Sequence, residues 1–226
     1  MTRLSGTAKK LSASDPVDLD LIGGLLFAPA FTLWGAPATW LELLAFGLAL
    51  AMVGCNIREI HWGWPLAITS SVLYFGVFWQ SRLYGDAALQ IFFALVALWG
   101  WAQWLRGRRA DGSALQVAHL SPQGRMASLV ACLALWPAIG YFLLRYTDTD
   151  VPWWDAFPTA ASLVGQFLLG RKYIENWLVW LVVNVVSVGL FAYKGLWLTV
   201  LLYSLFAALS VVGWRAWQRR AVVVPT

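Results

Sequence analysis

Residues 176–193 indicate how this chain folds, and they read NWLVWLVVNVVSVGLFAY. The run contains no Asp, Glu, Lys or Arg, and an α-helix needs roughly 20 predominantly apolar residues to cross the hydrocarbon of a bilayer. Its apolar residues are continuous rather than alternating, which favours a membrane helix over a strand of a membrane barrel. The stretch therefore predicts a transmembrane helix.

Similar runs recur along the chain of 226 residues. Hydrophobic residues make up 60% of the sequence and charged residues only 12%, about half of the charged share of a soluble domain. A soluble domain of this length cannot bury so much apolar surface in one core. The sequence therefore predicts an all-α, polytopic membrane protein. Its apolar runs predict spans near residues 21–35, 37–55, 62–80, 87–104, 127–145, 155–170, 174–193 and 196–214.

The N-terminal part is the least regular. Residues 1–20 are polar and lack a signal-peptide pattern, so they predict a flexible tail. Residues 21–36 are short for a span and contain Gly23, Gly24 and Pro29. They are expected to form either an extra N-terminal span or a helix at the membrane interface.

Loop charge predicts the orientation, because basic residues collect on the cytoplasmic side of a membrane. Residues 105–126 hold four arginines and one aspartate, so this basic loop is predicted to be cytoplasmic. Residues 146–155 hold three aspartates and no Lys or Arg, which suits the outside. Residues 218–226 contain two arginines, which places this C-terminal tail inside. The rule also explains the net charge of +5 without a nucleic-acid partner.

The spans contain an internal repeat. A shift of 113 residues (171 − 58), which needs no gap, places Arg58 on Arg171. Residues 37–104 and 155–217 are thus predicted to be two copies of one three-helix unit, joined by a linker helix over 127–145. Such parallel 3+1+3 repeats, related by an axis along the membrane normal, occur in transporters. The same shift aligns Trp64 with Trp177, Gly76 with Gly189, Gly100 with Gly213 and Trp104 with Trp217.

One face of the seventh predicted span is aromatic and polar. Asn184 lies deep in this span, where a polar side chain usually faces protein or a cavity rather than lipid. Two Trp rings one turn apart suit a flat ligand ring, and Trp is the best aromatic face for a cation. At about 100° per residue, that face collects Tyr173, Trp177, Trp180, Asn184, Ser187 and Phe191. The matching face of the first copy holds Trp64, Ser71 and Tyr74, and further polar candidates at membrane depth are Gln90, Ser162, Gln166 and Tyr203.

The middle of every predicted span is free of Asp, Glu, Lys and Arg. Ion-coupled carriers usually place an ionisable residue there, so passive movement of the substrate is favoured. The spans also lack a cation to clamp a phosphate, which favours a dephosphorylated substrate. The sequence shows no P-loop, metal-binding spacing or Gly-x-Ser-x-Gly pattern. We therefore expect that the protein is not an enzyme and that it has no catalytic residue, metal or cofactor.

The motif Trp177-x-x-Trp180-x-x-x-Asn184 resembles the signature of PnuC-type vitamin transporters. Residues 56–68, NIREIHWGWPLAI, resemble the first repeat of the family, and the likeness covers residues 37–217. The resemblance implies a nicotinamide riboside transporter of the bacterial inner membrane, similar in architecture to full-length SWEET sugar transporters. It further implies homotrimers and facilitated diffusion. Trp177 and Trp180 would then hold the nicotinamide ring and Asn184 would hydrogen-bond it.

Other functions stay open at this point. Related subfamilies resemble carriers of thiamine or riboflavin, and thiamine is also a flat cation that an aromatic face would accept. A second class is a non-transporting membrane scaffold in which the repeat serves only packing. An intramembrane enzyme ranks last, because the sequence holds no catalytic constellation.

Overall fold

The computed structural model describes residues 24, 28–33, 36–80, 84–109, 112–195 and 197–221. These residues form one β-hairpin and seven α-helices. The strands are β1 (Pro29–Leu33) and β2 (Ala36–Thr39). The helices are α1 (Trp40–Ile57), α2 (Gly63–Gln80), α3 (Tyr84–Arg106), α4 (Pro122–Tyr146), α5 (Pro152–Gly170), α6 (Asn176–Tyr193) and α7 (Trp197–Gln218).

The hairpin corrects the expectation of a helical segment over residues 21–36. Its strands are antiparallel, with Thr32 opposite Pro37. Pro29 and Pro37 lack the backbone N–H that a helix interior requires, whereas the edge of a small sheet tolerates proline. Residues 29–33 of the expected helix are therefore extended and Gly24 is helical, whereas residues 21–23, 25–27, 34 and 35 lie outside the described residues. The second predicted span accordingly begins at Trp40 rather than at residue 37.

The seven helices confirm the other predicted helical segments, with ends shifted by a few residues. Among the described residues, α4, α6 and α7 are each long and apolar enough to cross a membrane on their own, and α1 adds the shorter apolar stretch Leu43–Ile57. Only Gly140 is buried among the residues of α4, so its outer surface is exposed and largely apolar. This surface suits lipid, as in a multi-pass membrane protein.

The chain divides at Leu43 into two compact units, and helices α2 to α7 belong to the second. Within that unit α2 packs on α3, α6 packs on α7, and α5 contacts α3, α4 and α6. Two buried tryptophans each pack against a glycine of the neighbouring helix. A methyl group at Gly100 would overlap the ring of Trp64, and one at Gly213 would lie 2.6 Å from the ring of Trp177. Glycine at these two positions therefore lets the two helices of each pair lie close together with an indole between them.

Several features recur at the shift of 113 residues. Helices α2 and α6 begin at positions that differ by 113 (176 − 63). The indole N–H of Trp104 donates to the Leu169 carbonyl at 3.0 Å, and that of Trp217 donates to the Asn56 carbonyl at 3.2 Å. Trp217 lies 113 positions after Trp104 (217 − 104), and Leu169 lies 113 positions after Asn56 (169 − 56). The two bonds are thus reciprocal under the shift.

We expect alanine at Gly213 or Gly100 to destabilise the protein. The new methyl group would meet a ring that is itself buried, and overpacking of this kind costs typically about 1–3 kcal/mol. Thermal unfolding in detergent, followed by tryptophan fluorescence, measures the loss. Gly54→Ala on α1 is the matched control, since its methyl group would meet no atom within 4 Å. Equal melting temperatures for all three variants would contradict the packing argument.

Candidate functional site

A cavity of about 260 Å³ lies among α1, α2, α3, α5, α6 and α7. In the described part of the chain its wall holds aromatic rings, amides and hydroxyls, but no Asp, Glu, Lys, Arg or His. Mostly apolar concave sites with a few placed polar groups are typical of small-molecule binding. The lining residues are Met52, Val53, Asn56, Gly63, Trp64, Ala67, Phe93, Ser162, Gln166, Leu169, Trp177, Trp180, Val183, Asn184, Tyr203, Phe206 and Ser210.

The cavity brings together part of the set of site residues predicted from sequence. Those on its wall are Trp64, Ser162, Gln166, Trp177, Trp180, Asn184 and Tyr203. Ser71 and Ser187 are buried away from the wall, and Gln90 is half-buried outside it. Tyr173 lies in the turn before α6, and the side chain of Tyr74 is outside the described part of the structure. The polar face of α6 is therefore longer than the cavity that it lines.

Trp177 and Trp180 present different surfaces to the cavity. Trp177 is only 3% exposed, because its ring is packed on Gly213 and stands edge-on to Trp217 at 5.5 Å between ring centroids. Trp180 is half-buried beside Gly165, where a methyl group would lie 3.2 Å from its ring. Trp180 thus has the more accessible aromatic surface, and Trp177 forms a rigid wall beside it.

Asn184 is held in one orientation by α7. The side chain is 4% exposed, and its Nδ2 donates to the Ser210 hydroxyl at 3.2 Å. Ser210 donates its own proton to the Phe206 carbonyl at 2.8 Å, so its oxygen is the acceptor for Asn184. The amide oxygen of Asn184 is then left as the acceptor for a ligand. Sequence reasoning missed Ser210, because its role depends on which helix packs beside α6.

Three residues of the cavity wall each carry a buried polar atom that has no hydrogen-bond partner within the described residues. These atoms are the indole nitrogens of Trp64 and Trp177 and the amide oxygen of Asn56. A buried polar group without a partner costs about 1–3 kcal/mol, so such groups are uncommon in folded proteins. Sequence reasoning missed Asn56 as a wall residue, since neither its spacing nor the 113-residue shift, which aligns it with Leu169, marked it.

A layer of contacts at the helix ends adjoins the cavity, and we call Glu59, Trp104, Lys172, Trp217 and Arg220 the end layer. Lys172 Nζ lies 3.0 Å from a Glu59 carboxylate oxygen and 5.0 Å from the centre of the Trp104 ring. Arg220 pairs with the other oxygen of Glu59 at 3.4 Å. The Trp104 and Trp217 indoles bond the carbonyls of two cavity-wall residues. The end layer therefore borders the cavity at Asn56 and Leu169.

The start of α6 is fixed by a buried carboxylate. Glu175 accepts from the Leu120 backbone N–H at 3.0 Å and from Arg125, whose Nη2 lies 2.9 Å away. A nitrogen of His119 lies 3.4 Å from the same carboxylate. These charge-assisted contacts tie the first turn of α4 and the loop before it to the residue that precedes α6. They hold the helix that carries Trp177 and Trp180 in place.

Apolar helices around an uncharged, aromatic cavity are the arrangement expected of a membrane transporter. The family model described as "Nicotinamide mononucleotide transporter" matches residues 39–219. The chain belongs to this family, that of the PnuC-type transporters, which confirms the resemblance drawn from the sequence.

The chain is similar to several named transporters. It is 30% identical over 199 residues to the riboflavin/roseoflavin transporter RibM of Streptomyces davaonensis, covering 87% of this chain and 92% of RibM. It is 25% identical over 211 residues to the nicotinamide riboside transporter PnuC of Escherichia coli, covering 83% and 88%. The fold is similar to a crystal structure of the vitamin B3 transporter PnuC, with a TM-score of 0.64, 22% identity and coverage of 80% and 81%. These relatives are named for different vitamins.

We expect Ser210→Ala to destabilise the protein by about 1–3 kcal/mol, because the Asn184 amide would lose its partner while staying buried. Ser204→Ala is the matched control, since Ser204 lies on the same helix and bonds the carbonyl four residues earlier, as Ser210 does, but lies outside the cavity wall. Thermal unfolding of both variants in detergent measures the difference. A loss of stability in Ser204→Ala as large as in Ser210→Ala would contradict the role given to Asn184.

Proposed function

We propose that this protein transports nicotinamide riboside across the bacterial inner membrane. The observation that carries the proposal is the grouping of Trp177, Trp180 and Asn184 on the wall of an uncharged cavity. Nicotinamide riboside has a cationic pyridinium ring, and the face of a Trp ring attracts a cation. Its carboxamide can donate a hydrogen bond to the free amide oxygen of Asn184. The ring is then bound by aromatic surface rather than by a carboxylate.

The charge and size of the cavity support a nucleoside rather than a nucleotide. A phosphate inside the cavity would find no Lys or Arg among the described wall residues, and an unpaired buried anion is strongly unfavourable. The volume of about 260 Å³ lies near the lower limit of the roughly 300–1,000 Å³ typical of ligand sites. This size favours a ligand with a single aromatic ring and one sugar.

Riboflavin is the second candidate substrate. The observation that favours it is the 30% identity to a relative named as a riboflavin and roseoflavin transporter. A flavin would stack on Trp180, but it has three fused rings and no positive charge. It would therefore need a larger cavity and gain less from the aromatic wall. Thiamine, a flat cation, is a third candidate that the same binding experiment tests.

We expect purified protein to bind nicotinamide riboside more tightly than riboflavin or thiamine in a calorimetric titration. Trp180→Ala should weaken nicotinamide riboside binding at least tenfold, since a desolvated cation–π contact contributes about 2 kcal/mol or more. Trp154→Ala is the control, because Trp154 stacks on Tyr193 and lies outside the cavity wall. Tighter binding of riboflavin or thiamine would overturn the substrate, and unchanged binding by Trp180→Ala would favour a packing role.

The architecture proposed with this function is a SWEET-like 3+1+3 repeat, with α1–α3 and α5–α7 as copies and α4 as linker. The reciprocal Trp104 and Trp217 bonds and the matching first residues of α2 and α6 support it. Glu59 and Lys172 add a further correspondence, because both have φ of 58° and lie 113 residues apart. The assembly proposed is a homotrimer, as the PnuC resemblance implies.

The transport cycle that we propose is uniport by alternating access. In the end layer, Glu59 and Trp104 belong to one copy, Lys172 and Trp217 belong to the other, and Arg220 follows the second copy in the C-terminal tail. These contacts would have to separate for substrate to leave at this end. The positive-inside rule places the layer, the basic loop and the C-terminus on the cytoplasmic side. The uncharged wall supports facilitated diffusion, since coupled carriers usually have an ionisable residue there.

We expect the single substitutions Glu59→Lys and Lys172→Glu to reduce nicotinamide riboside uptake into proteoliposomes, because each places like charges together in the end layer. The double substitution should restore part of the activity. Restoration should stay incomplete, since the lysine introduced at position 59 would still face Arg220. Arg106→Glu at the exposed end of α3 controls for the change in net charge made by Lys172→Glu. Wild-type uptake by both single variants would contradict the role of the ion pair.

A further inference from the structure

We infer that residues 115–120, which we call the strap, must leave the turn between α5 and α6 before substrate can exit at the end layer. This role rests on the proposed transport cycle and adds a moving part to it. The strap lies in the basic loop between α3 and α4, so it follows the first proposed copy in the chain. The turn to which it binds, residues 172–174, belongs to the second copy.

The strap is bound to this turn through its backbone. The Ala118 N–H donates to the Lys172 carbonyl at 3.1 Å, and the Ile174 N–H donates to the Ala118 carbonyl at 3.0 Å. The two bonds form a parallel bridge between Ala118 and Tyr173. Because Lys172 also pairs with Glu59, the strap and the ion pair of the end layer share a residue.

One side chain of the strap is buried beside residues of both copies. Val117 is 3% exposed and belongs to the same apolar cluster as Trp64 of α2 and Trp217 of α7. Trp177 and Leu169, which line the cavity, belong to this cluster too. The strap is therefore packed into the cluster that joins the two copies next to the cavity.

The strap is attached to both copies over a short length of chain. The Leu115 N–H donates to the carbonyl of Gly107, the residue that follows α3, at 3.3 Å. Leu115 and Ala118 are three positions apart (118 − 115), and three residues span at most about 10–11 Å. The chain between the two attachments therefore has little slack. A motion that separates Lys172 from Glu59 pulls on the bridge at Ala118.

The two matching turns of the repeat differ at this contact. Residues 172–174 and residues 59–61 correspond under the shift of 113 (172 − 59), and each begins at a residue with φ of 58°. Ile174 is 0% exposed, whereas its counterpart His61 is half-buried. Within the described residues, turn 59–61 forms no bridge of this kind. The strap is therefore an addition to the repeat that holds the turn of the second copy alone.

A disulfide between positions 118 and 173 tests whether the bridge must break. Paired strands lie about 4.7–4.9 Å apart, within the roughly 4.4–6.8 Å between Cα atoms that a disulfide spans. The variant carries Ala118→Cys and Tyr173→Cys together with Cys55→Ala and Cys132→Ala, which remove both native thiols. We expect oxidation to abolish nicotinamide riboside uptake into proteoliposomes and reduction to restore it. Binding in detergent should be unchanged, since the cavity can still open at its other end.

The matched control is a disulfide within the loop itself. Arg108 and Ala114 form an antiparallel bridge that does not involve the second copy. Arg108→Cys with Ala114→Cys, in the same background, therefore constrains the loop without tying it to the turn. Oxidation of this control should leave uptake unchanged.

Labelling of a single cysteine tests the same movement without altering Tyr173. Ala118 is 8% exposed, whereas Ala114 is exposed. In the cysteine-free background, Ala118→Cys should react with a maleimide more slowly than Ala114→Cys, because it reacts only when the strap opens. The reaction should still go to completion in the folded protein. Modified Ala118→Cys should lose uptake, since the attached group prevents the strap from returning, and modified Ala114→Cys should keep it.

The outcomes separate the role of the strap from the proposed substrate. If the wild-type protein takes up riboflavin or thiamine instead of nicotinamide riboside, the substrate proposal fails and the same variants are assayed with that vitamin. If the oxidised 118–173 pair transports like its reduced form, the strap need not open and its role is overturned while the substrate stands. If the reduced pair is inactive, the labelling decides, and full uptake by modified Ala118→Cys overturns the role. Uptake of none of the three vitamins by the wild type overturns both.

Discussion

The packing of two indoles on two glycines determines the interior of this protein. Trp64 of α2 lies on Gly100 of α3, and Trp177 of α6 lies on Gly213 of α7. A side chain at either glycine would separate the helix pair, because protein interiors leave no room for an extra methyl group beside a buried ring. The same two tryptophans form part of the cavity wall. The distance between paired helices and the shape of the cavity thus depend on one kind of contact.

Most of this fold could be predicted from the sequence because membrane helices have a clear apolar pattern. The hairpin could not be predicted in this way. Membrane helices must satisfy their backbone internally and bury apolar side chains in lipid, so continuous apolar runs located α1 to α7 with small errors at their ends. Residues 29–33 are also apolar, yet they form a strand. Composition alone does not distinguish a short apolar helix from a short apolar strand. There Pro29 and Pro37 were the informative residues.

The candidate site was predictable only where one helix defines it. Helical periodicity grouped Trp177, Trp180 and Asn184 on one face of α6, and all three line the cavity. Ser210 and Asn56 come from α7 and α1, and their importance depends on hydrogen bonds made, or missing, between elements distant in sequence. Periodicity along one helix carries no information on such contacts, so only the packed structure could reveal them.

The end of α1 joins the cavity to the end layer within one turn of chain. The Asn56 side chain lies on the cavity wall, its carbonyl accepts from Trp217, and Glu59 pairs with Lys172. Leu169, the counterpart of Asn56 under the shift, also lines the cavity and has no polar side-chain atom. The cavity wall therefore holds different side chains at two positions that correspond under the shift, and such a difference suits an asymmetric ligand.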